Sequence, residues 1–244
     1  MKLYGIALLA AVAAALPGCD GGSAPRVAAT AGAAQAANPD APPEAPVRGP
    51  EVPILALGDS LFAGYGLKSG ESYPARLEAA LRARGINARI ANAGVSGDTT
   101  AGGLQRLAFT LENQSAPPAA VLVSLGGNDM LRGLAPSQTR ANLDAILSEL
   151  ARRKIKVVVM GMLAPPNMGA QYREDFDAIY PDLAKKHGAQ LVPFFLQAVV
   201  GKPDLIQQDH VHPTSSGVEE IVAATVDLIG ESLPPTLVAP PPLR

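Results

Sequence analysis

Five short apolar runs, at residues 52–57, 88–92, 119–125, 156–160 and 190–194, constrain this chain more than any other feature. They are mostly continuous rather than alternating, the pattern of strands covered on both faces. Segments of helical period separate them. Leu77, Ala80 and Leu81 share one helix face, with Glu78 and Arg82 elsewhere and Gly85 as the stop. Leu143, Ile146, Leu147 and Leu150 recur at helical spacing behind a start at Pro136-Ser137. Phe176, Ile179, Leu183 and Ala184 continue the theme into Lys185-Lys186-His187-Gly188. There cations face the negative helix end and glycine can take the left-handed turn. A last helix, over about residues 214–230, aligns Val218, Ile221, Val222 and Ile229, with Thr225 the one polar member. Strand and helix alternating five times predict an α/β domain: a parallel sheet with helices on both faces.

In such sheets functional groups gather beyond the carboxyl ends of the strands. Site residues should therefore follow the apolar runs, and they do. The first run leads into Gly58-Asp59-Ser60-Leu61 and the second into Asn92-Ala93-Gly94-Val95-Ser96-Gly97-Asp98-Thr99. The third leads into Gly126-Gly127-Asn128-Asp129, and past the fifth comes Asp209-His210-Val211-His212-Pro213. Ser60 and His212 are 152 positions apart yet fall at the same end of the predicted sheet.

Each residue type has a chemical reason to be there. A serine hydroxyl needs a base to take its proton, and imidazole has a suitable pKa. The imidazole needs a carboxylate on its other nitrogen to fix the tautomer and stabilise the imidazolium. Asp209, three residues before His212, can do this within one turn. Negative charge developing on a substrate oxygen needs preorganised donors. Backbone N–H groups near Ser60 and Gly94 and the Asn128 amide are candidates.

Gly58-Asp59-Ser60-Leu61, Gly94, Gly127-Asn128-Asp129 and Asp209-x-x-His212 resemble, in order and spacing, the four blocks of the GDSL/SGNH hydrolase superfamily. "NAGVSGDTTAGGLQRL", "SLGGNDMLRGL" and "FDAIYPDLAKKHGAQLVPFFL" look like its arylesterase, acyl-CoA thioesterase I and lysophospholipase L1 branch. The resemblance covers about residues 53–231. It implies a three-layer α/β/α sandwich with a flavodoxin-like five-stranded parallel sheet of order 2-1-3-4-5. It also implies Ser60 as nucleophile, Asp209 and His212 as its partners, an oxyanion hole from Ser60 N–H, Gly94 N–H and Asn128, and no metal or cofactor. The substrate is then a small acyl ester: aryl, short- or medium-chain, thioester or lysophospholipid. Position 210 departs from the pattern, holding His where a small residue, commonly Gly, is usual.

The two ends are of another kind. Lys2 precedes an uncharged Ala- and Leu-rich stretch at residues 3–16, too short for a comfortable membrane span, so residues 1–18 are read as an export signal. Leu16-Pro17-Gly18-Cys19 resembles the bacterial lipoprotein signal, which predicts a lipid anchor on Cys19 and a periplasmic or envelope-associated location. Cys19 is the only cysteine, so no intramolecular disulfide can form. Of residues 20–50, 10 are Ala, 6 Pro and 4 Gly. Such a segment cannot bury enough surface to offset its ordering entropy, so 19–50 is expected to be a disordered tether. The folded domain is expected over 51–232, followed by a Pro-rich tail at 233–244. A formal charge of −2 and the absence of Trp argue against a nucleic-acid partner.

Several residues have plainer readings. Asp59 is expected to accept backbone hydrogen bonds around its turn, and Asp98 or Thr99 to cap the helix carrying Leu104 and Leu107. Asp129 reads as a satisfied loop residue and His187 as a surface residue. Asp209, His210 and His212 could instead ligate a metal, but no other histidine is placed to help. Three functions follow: a serine esterase working through an acyl-enzyme, a deacetylase or acyltransferase on envelope polysaccharide, and a non-catalytic envelope lipoprotein that binds a ligand or partner.

Overall fold

The computed structural model describes residues 47–234. The expected export signal, Cys19, nearly all of the 19–50 tether and the tail beyond Pro234 lie outside the described residues. Five parallel strands, β1 (Val52–Gly58), β2 (Ala88–Gly94), β3 (Ala120–Ser124), β4 (Lys156–Met160) and β5 (Gln190–Val192), form one sheet of order β2-β1-β3-β4-β5. This is the expected order. Among the described residues eight α-helices accompany them: α1 (Ser60–Ala63), α2 (Tyr73–Ala83), α3 (Thr100–Glu112), α4 (Gly127–Leu131), α5 (Pro136–Arg152), α6 (Ala170–Asp177), α7 (Ile179–His187) and α8 (Ser215–Ser232). Helix α2 packs on α8, while α5 packs on both α3 and α7, giving the two outer layers of an α/β/α sandwich. None of the helices among the described residues is long and apolar enough to cross a membrane.

The central strands explain the continuous apolar runs. Leu55, Ala56 and Leu57 of β1 and Ala120, Val121 and Leu122 of β3 are fully buried, each flanked by strands and covered from both sides. Edge strand β2 is half open, and its free rim is partly closed by α2. Glu78 accepts from the Ile90 N–H (2.5 Å) and Arg82 donates to the Ala88 carbonyl (3.3 Å). Such side-chain cover keeps an edge from pairing with another chain.

Element ends differ from expectation where proline intervenes or where strand pairing outlasts the apolar run. The fifth run ends as a strand at Val192, because Pro193 has no N–H to continue the ladder. The expected helix through Phe176 and His187 is two helices meeting at Ala178. Pro181 lacks the N–H that would bond the Asp177 carbonyl, so the helical ladder is interrupted there. β2 runs to Gly94, two residues beyond the apolar run, because pairing with β1 continues through Gly58.

Two local features have measurable energies. Thr225, the polar member of the α8 face, accepts from the buried Tyr73 hydroxyl (2.8 Å) and itself donates to Ile221 O (2.7 Å). Burial pushes the Tyr73 phenol well above its ordinary pKa, so it stays a neutral donor. His210 sits at φ 60°, the left-handed region in which a Cβ crowds the following carbonyl. This backbone favours glycine, the residue that the resemblance leads one to expect at this position. Tyr73→Phe is expected to cost about 0.5–1.5 kcal/mol, the net worth of one neutral hydrogen bond. His210→Gly is expected to gain about 0.5–1 kcal/mol, relief of strain less the added chain entropy. Urea denaturation checks both; a destabilised His210→Gly would show that its side chain has a structural partner.

Candidate active site

The site forms where β1, β2 and β3 end level with one another. The register sets Gly58 opposite Gly94 on one side and Ser124 on the other. Directly after Gly58 the chain turns into α1. The Asp59 carboxylate caps this helix by accepting the Leu61 N–H (3.0 Å), and the Asp59 N–H donates to Ser124 O (3.2 Å). Ser60 is thus the first residue of a four-residue helix that ends at Gly64, in the left-handed region at φ 81°. Below it, Phe62 stacks on Tyr73 (ring centroids 5.5 Å) and meets the edge of Phe195 (5.8 Å), a buried aromatic footing.

The histidine arrives from the far end of the chain. Asp209 Oδ1 accepts the N–H groups of Val211 (2.9 Å) and His212 (3.0 Å), which curls residues 209–212 into a tight turn. Its other oxygen lies 2.6 Å from His212 Nδ1, and His212 Nε2 lies 2.7 Å from Ser60 Oγ. With the Nδ1 proton donated to Asp209, Nε2 is left to accept the Ser60 O–H. Gln207 pins this turn to the serine segment, donating to both Tyr65 O (2.8 Å) and Pro213 O (2.9 Å). The Tyr65 ring lies over the imidazole, with centroids 4.6 Å apart. Partial burial raises the Asp209 carboxyl, but the His212 N–H, the His212 ring and the Val211 N–H together outweigh it and bring it down to about 2. Asp209 is an anion throughout the neutral range.

Asn128 is carried on α4 rather than on a loop. Its Nδ2 donates to Asp98 O (3.0 Å) and, more weakly, to Asp59 Oδ2 (3.3 Å). Asp129, expected as a satisfied loop residue, is a buried anchor for that helix. It accepts from the Thr100 N–H (2.8 Å), from the Thr100 hydroxyl and from the Thr139 hydroxyl (3.3 Å), joining α4 to α3 and α5. Thr99 is the α3 cap, accepting from the Gly102 N–H (3.3 Å). Burial pushes the Asp59 carboxyl up to about 6, against the lowering effects of the Leu61 N–H and the nearby His212.

The structure thus brings Ser60, His212 and Asp209 into one hydrogen-bonded row, with Asn128 bonded to Asp59 beside the serine. Gly94 does not offer its donor: its N–H is taken by the Asn92 Oδ1 at 2.9 Å. The glycine is required there for space, since a Cβ would lie 2.3 Å from Ala63 N and 2.7 Å from Phe62 C. Three residues on, Gly97 stands at φ 81° beside Asp98, whose carbonyl receives Asn128, and its N–H has no partner among the described residues. The sequence signal for Gly97 is present in Ser96-Gly97-Asp98, in the same block as Gly94. The metal reading of Asp209, His210 and His212 fares poorly, because both nitrogens of His212 are engaged by Asp209 and Ser60. His187 is mostly covered rather than a surface residue, its Nε2 lying 2.6 Å from Asp144 Oδ1 on α5.

Exposed apolar side chains stand in the segments that carry the site residues and in the loop after β4. Tyr65, Val95, Leu131, Leu163 and Val211 are all exposed, and each follows a strand end or flanks a site residue.

Residues 56–219 match the model of the GDSL-like lipase/acylhydrolase family. The chain is 41% identical over 160 residues to esterase TesA of Pseudomonas aeruginosa, covering 66% of this chain and 79% of that protein. It is also 41% identical over 160 residues to thioesterase 1/protease 1/lysophospholipase L1 of Escherichia coli strain K12, covering 66% and 74%. Among solved structures it superposes on AlinE4, an SGNH-hydrolase family esterase, with 63% identity and a TM-score of 0.66 over 77% of this chain and 99% of that one. The strand-end blocks, the sheet order and these likenesses agree: the chain belongs to the GDSL-like lipase/acylhydrolase family.

Proposed function

We propose that the protein is a serine esterase that cleaves aryl and short- or medium-chain acyl esters through an acyl-enzyme on Ser60. The observation that carries this reading is the unbroken relay from Ser60 Oγ through His212 to Asp209, with contacts of 2.7 and 2.6 Å. Ser60 Oγ attacks the ester carbonyl carbon as its proton passes to His212 Nε2. The carbonyl oxygen becomes an oxyanion, held by Asn128 Nδ2 and the unengaged N–H groups of Ser60 and Gly97. When the C–O bond to the leaving alcohol breaks, the imidazolium returns its proton to that oxygen. Water then repeats the sequence on the acyl-serine, releasing the acid and restoring Ser60. Asp209, ionised at every working pH, stabilises the imidazolium in both halves.

The exposed apolar rim favours an acyl chain or an aromatic leaving group over a polysaccharide, whose hydroxyls need polar partners. The relatives named thioesterase and lysophospholipase extend the reading to thioesters and lysophospholipids. We further propose export, with Cys19 lipidated.

Ser60→Ala is expected to lower p-nitrophenyl butyrate turnover by about 10³-fold or more while leaving stability within about 0.5 kcal/mol. Retained turnover would refute the reading. A parallel panel of p-nitrophenyl acyl chain lengths and acetylated glycan separates the esterase from a polysaccharide deacetylase.

The buried Asp59 predicts a pH effect on folding. Its folded-state pKa of about 6 lies above the ordinary 3.8, so between these values the folded state holds a proton that the unfolded chain has released. Stability contributed by that proton is present below pH 3.8 and lost as pH rises through 6. Relative to Asp59→Asn, the unsubstituted protein should therefore lose about 2–3 kcal/mol between pH 3.5 and 7. Disturbance of the Asn128 contact shifts the variant's whole curve but not this slope. A stability difference that stays constant with pH would show that Asp59 is not desolvated in solution.

A further inference from the structure

The geometry points to Arg106 as a positioning residue for the oxyanion site, acting through the turn at residues 95–98. The inference rests on the esterase reading, since it assigns how that site's donors are held. The turn lies between β2 and α3 and is closed by the Asp98 N–H donating to Val95 O (3.0 Å). It carries two groups of the site: the unengaged Gly97 N–H, and the Asp98 carbonyl on which Asn128 Nδ2 rests at 3.0 Å. One backbone bond, from the Val95 N–H to Gly58 O (3.0 Å), ties it to the end of β1.

Arg106 supplies a second and stiffer tie. From the second turn of α3 its Nε donates to Asp98 Oδ2 at 2.7 Å, while Nη2 donates to Gly58 O at 2.9 Å. Gly58 stands two residues before Ser60. A single guanidinium thus spans the segment that presents the Ser60 N–H and the turn that presents Gly97 and seats Asn128. Side-chain exposures of 21% for Arg106 and 12% for Asp98 put the pair where water screens it poorly. The seat is shaped for it: a Cβ at Gly102 would lie 1.9 Å from Asp98 Oδ1, so the carboxylate occupies the space that glycine leaves open.

The fork geometry matters as much as the charge. Guanidinium nitrogens point at two acceptors at once, whereas an ammonium on a flexible stem holds one acceptor at a time and less firmly. From the solvent side Arg132 Nη2 donates to Gly97 O (2.6 Å), so the turn is gripped from both sides, but this second grip is exposed and weaker. Oxyanion donors act only when prepositioned, and one removed donor costs about 10²–10³ in kcat. A displaced donor costs less, so loosening the Arg106 tie should lower kcat by about ten- to a hundredfold.

Steady-state kinetics on p-nitrophenyl butyrate, with ¹⁵N spectra of the Asn128 side-chain amide, test this. Arg106→Gln should lower kcat about ten- to a hundredfold with KM within threefold, slow inactivation by a p-nitrophenyl alkylphosphonate in proportion, and shift the Asn128 amide resonances. Arg106→Lys should fall between it and the unsubstituted protein. Leu107→Ala, a core truncation on the same helix, should lower Tm yet leave kcat within twofold and the Asn128 resonances in place. The inference is overturned if Arg106→Gln keeps its kcat, or if Leu107→Ala loses as much activity at equal Tm. Should Arg106→Gln not fold, Asp98→Asn is judged by the same criteria. If the unsubstituted protein turns over no ester, the esterase reading fails instead, and the Asn128 resonances alone decide whether Arg106 holds the turn.

Discussion

Level strand ends are the constraint on which this structure depends. Because β1 pairs in parallel with both β2 and β3, Gly58, Gly94 and Ser124 stand side by side. Three loops therefore leave the sheet at one height and from adjacent positions. One carries Ser60, the next Gly97 and Asp98, the third Asn128. No loop needs to be long to reach the others, and two of the three leave strands that are buried on both faces, β1 and β3. A slip of one residue in the β1–β2 register would turn the strands' side chains to opposite faces and separate the loops by a strand step.

Closeness of this kind puts demands on side-chain volume. A Cβ at Gly58 would press into the Phe62 ring at 2.6 Å, and one at Gly94 into the α1 backbone at 2.3 Å. Both glycines allow α1 to lie down across the strand ends, which brings Ser60 over the sheet rather than out beyond it. The aromatic cluster of Phe62, Tyr73 and Phe195 then holds α1 from below, at centroid distances of 4.7–5.8 Å. Opposite it, Gln207 fastens the histidine turn to Tyr65 and needs the space at Gly66, where a Cβ would fall 2.2 Å from its amide oxygen. Gly64 and Gly66 after the serine are thus positions of close approach and left-handed backbone, at φ 81° and 73°.

The parallel sheet and the meeting of Ser60, His212 and Asp209 at one end of it were legible in patterns that a linear sequence carries: apolar runs, helical period, and polar blocks just after each run; the strand order was legible only through the resemblance to the family. What escaped depends on contacts between distant segments. Nothing local in Asp129 tells of Thr100 and Thr139, which make it a buried anchor between three helices. His187 looked like part of a basic helix end, and only the packing of α7 on α5 gives it Asp144. The choice between Gly94 and Gly97 is of the same sort. Both are glycines in one block, and which N–H is free is decided by a side chain, Asn92, that folds back on its own strand. Pro181 and Pro193 were visible in the sequence, but apolar spacing continued past each and masked the break.

Asn128 shows how such a site can be ready without substrate. An amide has two protons, and here both are spoken for: one by the Asp98 carbonyl at 3.0 Å, one by Asp59 Oδ2 at 3.3 Å. A part-buried donor left without any acceptor would be costly, and on the proposed mechanism these two acceptors stand in for the oxyanion until substrate arrives. The two stand-ins differ in kind. The Asp98 carbonyl belongs to a residue whose carboxylate is held by Arg106, and it makes the shorter of the two bonds to the amide. The Asp59 contact is long, and that carboxylate keeps the Leu61 N–H as a second partner. When negative charge appears on a substrate oxygen, the weaker of the two bonds is the one that can be exchanged with the least rearrangement. The amide then turns little, its anchor stays in place, and the donor meets the developing charge already aimed, the condition under which electrostatic stabilisation acts without reorganisation.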